Sequence, residues 1–89
     1  MRTAARVDSN HRKLLDLASQ LGGFVIETHR LGHGAPDAMV WSIDKHWQAV
    51  EIKTARGKLT PDQKNLHRQA PVLIWRTEAD VCAHFGVQG

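Results

Sequence analysis

Two short extended segments, at 38–42 and 48–54, lie in the middle of the chain, and the alternation within the second leaves few folds open. Successive strand residues face opposite sides, so Ala49, Glu51 and Lys53 share one face while Gln48, Val50, Ile52 and Thr54 share the other. The Val50 and Ile52 face is apolar and suits a core. The opposite face carries an acid two residues from a lysine. Pro36-Asp37 precedes the first segment, and proline, with its fixed φ and missing donor, belongs at a strand entry rather than within a strand. Joined through a turn at Asp44-Lys45, the two segments form a hairpin that brings Asp37 beside the exit of the second strand. The expectation is two carboxylates and an ammonium group meeting at an exposed sheet end.

The flanking chain supplies the rest of an α/β domain. From Asp8 the pattern is helical, with Leu14, Leu15, Ala18 and Leu21 as the apolar stripe, Asp8 or Ser9 as the N-cap and Gly22-Gly23 as the stop. Asn10, His11, Arg12 and Lys13 fall on its polar side. Residues 24–29 read as a strand, with Glu27 and His29 on one face, and 30–35 as a loop in which two glycines flank His33. After the hairpin comes a basic loop with Arg56 and Lys58 around Gly57. Thr60-Pro61-Asp62-Gln63 then starts a helix: threonine cap, proline at the first position, glutamine at the third. Capping alone is a full structural account of Gln63. Residues 72–76 form a largely apolar strand, and a short helix from Thr77 closes the domain at Gly86. The predicted order is α-β-β-β-α-β-α around one mixed sheet, a single domain over 1–89 with residues 1–7 flexible and Arg2 and Arg6 within reach of a phosphate backbone.

Composition narrows the function classes. Cys82 is the lone cysteine, which excludes an internal disulfide and a cysteine-rich zinc site and suits a reducing, cytoplasmic compartment. No apolar run approaches the length of a membrane span. A net charge of +3 and a sequence pI of about 9.5 favour a polyanionic partner. Of the six histidines only His29 and His33 have short ligand-like spacing. A glycine-rich loop does not hold such a pair in register, which argues against zinc. Asp37 and Glu51 offer hard oxygen ligands, suited to magnesium or manganese.

Pro36-Asp37, then Glu51-Ile52-Lys53, then Gly57-Lys58-Leu59-Thr60-Pro61-Asp62-Gln63 resembles the PD-(D/E)xK nuclease superfamily. The short form, with a Gly-x-Pro-Asp entry and a helix-borne glutamine, is similar to its virus-type replication-repair (VRR-NUC) branch, whose stand-alone members are small phage and bacterial nucleases. The resemblance spans residues 8–85. It implies a restriction-endonuclease-like fold and a Mg2+- or Mn2+-dependent endonuclease acting on branched or four-way (Holliday) junction DNA, from a phage or bacterial source. It implies Asp37, Glu51 and the Ile52 carbonyl as metal ligands, with Lys53 and Gln63 completing the catalytic set. The first helix of such proteins often lends an acid or glutamine, and Asn10 falls near that place, with Asp8 as the acidic alternative; Glu27 is a further candidate.

Phosphodiester hydrolysis matches these residue types. Carboxylates anchor a metal, and an ammonium group stabilises developing charge. Arg30, His33, Arg56, Lys58 and Lys64 are the candidates for holding the nucleic acid, through contacts largely independent of sequence. Cutting two strands calls for two sites, and apolar terminal helices can be covered by a second copy, so a homodimer is expected. One alternative keeps the fold as a non-catalytic nucleic-acid-binding module. Another is an interaction protein using Trp41, Trp47 and Trp75, which are otherwise core or interface residues.

Overall fold

A computed structural model describes residues 9–87. Expectations for residues 1–7 and for Asp8 lie outside these. The chain runs through α1 (Ser9–Gln20), β1 (Phe24–Glu27), a 3-10 turn (His29–Leu31), β2 (Ala38–Ser42), β3 (His46–Ile52), α2 (Pro61–Gln69), β4 (Val72–Trp75) and α3 (Glu78–His84). The result is a mixed α/β fold with three helices and one four-stranded sheet in the order β1-β2-β3-β4. Strands β1 to β3 form an antiparallel meander. A crossover through α2 then returns the chain as β4, parallel to β3.

The core follows from the two periodicities. Leu14, Leu15 and Ala18 of α1 and Val81 of α3 are buried against Ala38, Val40, Val50, Ile52 and Trp75 of the sheet. Each fully buried leucine contributes roughly 1.5–3 kcal/mol. Helices α1 and α3 place their buried apolar residues on this one side of the sheet. Large exposed apolar side chains among the described residues are Phe24, Ile26, Leu31, Ile43, Trp47 and Val87, and none lies on a helix of the core. The tryptophans divide accordingly: Trp75 is buried, Trp41 is half-buried, and Trp47 is exposed with its ring edge-on to Phe24.

Four strand boundaries differ from the predicted ones: β3 ends at Ile52 instead of residue 54, and the other three have local reasons. Strand β1 ends at Glu27, not at residue 29, because Thr28 turns the chain: its hydroxyl donates to the Pro36 carbonyl at 2.6 Å, and His29 enters the 3-10 turn. Strand β3 starts at His46, two residues early. His46 takes a left-handed φ of 59° and pairs with Ser42, closing a three-residue turn whose Lys45 amide donates to Ser42 Oγ. Strand β4 ends at Trp75 because the Arg76 amide donates to Asp80 Oδ2 of α3.

Candidate active site

The hairpin register places Asp37. Ala38 pairs with Val50, so the residue before Ala38 reaches the residues after Val50. The Ile52 amide donates to Asp37 Oδ2 at 2.7 Å, while the Asp37 carbonyl accepts from the amides of Thr28 and His29. Asp37 is therefore fixed by backbone groups on both sides.

Glu51 lies on the face of β3 opposite Val50 and Ile52. It is not at an exposed sheet end as expected, since its side chain is only 2% exposed. Gln63 Nε2 donates to Glu51 Oε2 at 2.8 Å, and Lys53 Nζ stands 4.0 Å from the same oxygen. The other oxygen, Oε1, is buried with no hydrogen-bond partner. Burial first, then the Asp37 carboxylate beside it, pushes the Glu51 carboxyl up to about 8, and Lys53 offsets only part of this. A buried carboxyl raised in this way keeps its proton or, with the second acid beside it, accommodates a cation. Paired hard oxygens, one without a donor, fit a divalent metal of the magnesium or manganese kind.

Gln63 serves two purposes with the two ends of one amide. Its Oε1 accepts from the Thr60 amide while Thr60 Oγ1 accepts from the Gln63 amide, a full capping box at the start of α2, and its Nε2 is what holds Glu51. The first turn of α2 is itself seated on Gly34. A Cβ at Gly34 would stand 2.7 Å from the backbone carbon of Asp62, and φ there is +78°. Only glycine meets both conditions.

On α1 the expected polar face is only partly so. His11 is buried, and its two ring nitrogens reach toward two acids: Nε2 lies within hydrogen-bond distance of Glu27 Oε1 at 3.3 Å, and Nδ1 lies 4.0 Å from Asp37 Oδ1. Arg12 Nη2 donates to Glu27 Oε2 at 2.6 Å and, as the leading cause, holds the Glu27 carboxyl below its ordinary range. Glu27 thus joins His11 and Arg12 instead of Glu51. Asn10 is structural, its amide donating to the carbonyls of Lys53 (3.0 Å) and Arg76 (3.3 Å) where β3 and β4 end.

Asp37, Glu51, Lys53 and Gln63 are brought together, with Ile52 contributing its amide to Asp37. Arg30, His33, Arg56, Lys58 and Lys64 are all exposed, and His33 takes a left-handed φ of 57° between its glycines. Arg76 shapes the basic loop by donating to the carbonyls of Thr54 and Gly57. His11 is the residue that sequence reasoning missed. Its signal was present, because 11, 14, 15 and 18 lie on one helical face, the buried one. No protein family, curated protein or solved structure matches the chain in comparison.

Proposed function

We propose that the chain is a metal-dependent endonuclease with a restriction-endonuclease-like arrangement of its α/β elements, hydrolysing DNA phosphodiesters and preferring branched or four-way junction substrates as a homodimer. The observation that carries this reading is the pairing of half-buried Asp37 with buried Glu51, whose Oε1 lacks a donor while an ammonium group stands 4.0 Å from Oε2.

In this reading Asp37 and Glu51 hold the metal, which when bound polarises the phosphoryl oxygen and makes water a nucleophile near neutral pH. Gln63 fixes the Glu51 carboxylate in orientation, which a mobile glutamate would lose. Lys53 meets the negative charge that grows on the phosphorus oxygens; its compact ammonium group suits a point charge better than a planar clamp. The Ile52 amide keeps Asp37 directed at the pair. Exposed Arg30, His33, Arg56, Lys58 and Lys64 supply salt-sensitive contacts to the phosphate backbone.

The test is incubation of the full chain with linear, flap and four-way junction DNA, with and without Mg2+ or Mn2+. Metal-dependent cleavage that vanishes in Asp37→Ala and Glu51→Ala is expected. Binding without cleavage under every metal condition would favour a non-catalytic nucleic-acid-binding module, and no binding at low salt would reject both.

A further inference from the structure

Beside Asp37, and separate from the oxygen pair, three side chains from three different elements converge. Ligand atoms of His11, Glu27 and His29 all lie within 4.8 Å of one another. Two imidazole nitrogens point at one oxygen: His11 Nε2 is 3.3 Å and His29 Nε2 is 3.5 Å from Glu27 Oε1. In a tetrahedral shell whose ligands sit about 2.0–2.1 Å from zinc, neighbouring ligand atoms are about 3.3–3.4 Å apart. The separations of 3.3 and 3.5 Å are close to those edges. We infer that His11 Nε2, Glu27 Oε1 and His29 Nε2 form a binding site for a borderline transition ion of the zinc class, distinct from the Asp37–Glu51 pair.

The surroundings favour this. Each donor stands on a regular element: α1 for His11, the end of β1 for Glu27, the 3-10 turn for His29. Arg12 engages Glu27 Oε2, so the carboxylate is oriented with Oε1 toward the imidazoles. The rings of His11 and His29 meet edge to face, with centroids 4.9 Å apart, which fixes their relative tilt. Arg12, Glu27, His29 and Arg30 line an open cleft, giving an ion a way in and room for a water as a further ligand. Two imidazoles and one carboxylate select zinc, cobalt or nickel over magnesium, which prefers oxygen alone. The histidine that accompanies His29 here is not His33 but His11, on a helix 18 residues upstream.

The inference is independent of the nuclease reading and is tested by binding. The metal-stripped full chain is titrated with zinc chloride near neutral pH by calorimetry, alongside His29→Ala, Glu27→Gln and the double variant Asp37→Ala/Glu51→Ala, with circular dichroism on each. One zinc per chain is expected for the parent and the double variant. Binding weakened about 100-fold or more is expected for His29→Ala and Glu27→Gln. If His29→Ala fails to fold, Glu27→Gln decides, since it keeps shape while losing the charge. Absence of stoichiometric zinc in the parent would overturn the site. So would parent-like affinity in both single variants, or loss of zinc in the double variant when they retain it.

Discussion

Gln63 donates to Glu51 Oε2 across 2.8 Å, so the N-terminus of α2 and the last turn of sheet before it are joined by one side-chain amide. Because the same residue completes the capping box, its two ends can be separated by substitution. Gln63→Ala removes both and is expected to cost about 1–3 kcal/mol in urea unfolding, from a lost cap and a lost buried bond. Gln63→Glu keeps the cap but sets a third carboxylate against Glu51. Its stability deficit should therefore shrink at low pH, whereas that of Gln63→Ala should not.

Glu51 gives the clearest pH dependence. Its carboxyl titrates near 4.5 in the unfolded chain and at about 8 in the folded one, raised by burial and then by Asp37. Between those values the folded chain binds the extra proton, so the contribution of Glu51 to stability is fully present below 4.5 and is lost as pH rises toward 8. At about 1.4 kcal/mol per unit the loss amounts to several kcal/mol. Glu51→Gln cannot ionise and should be at least about 2 kcal/mol more stable than the parent at the alkaline end in a chelator. Melting curves across pH check this; parallel curves for the two proteins would reject the shift.

Lys53→Ala should lower cleavage by about 100-fold or more while Mn2+ binding by calorimetry is retained, because an ammonium group assists without coordinating. Asp37→Ala should lose metal binding and also cost about 1.5–3 kcal/mol of stability, since the Ile52 amide loses a charged acceptor. Equal metal binding by Asp37→Ala and the parent would remove Asp37 from the ligand set.

How much of this was legible follows from which interactions are local. Alternation along β3 was enough to put Glu51 and Lys53 on one face, and Thr60-Pro61-Asp62-Gln63 carries its capping box in four consecutive residues. The burial of Glu51 was not legible, because it depends on a helix that returns over the strand after an intervening loop. Nor was the convergence of His11, Glu27 and His29, which needs α1 docked on the sheet. His46 displaced a strand boundary because a left-handed histidine leaves no mark that glycine or asparagine would.

His84 sets an acid limit. It is buried beside Trp75 and Phe85, its Nε2 has no partner, and burial, followed by nearby Lys45, lowers its imidazole from the ordinary 6.5. The unfolded chain takes up this proton first, so stability falls as pH drops below 6.5. His84→Phe should flatten that part of the profile in thermal melts; an unchanged acid slope would show that other groups set it.

Gly34 has a consequence for how this protein tolerates change. It carries no functional group, yet any side chain there would collide with the backbone of Asp62 in the turn that presents Gln63. In a saturation library scored for activity, position 34 should be as intolerant as position 51, and a second-site suppressor would have to loosen the start of α2. Gly32, three residues ahead of Ala35, has nothing within 4 Å of its added Cβ, yet its φ of 73° with ψ of −170° is a backbone conformation open to glycine alone, so position 32 should resist substitution for a conformational reason where position 34 resists for a steric one as well.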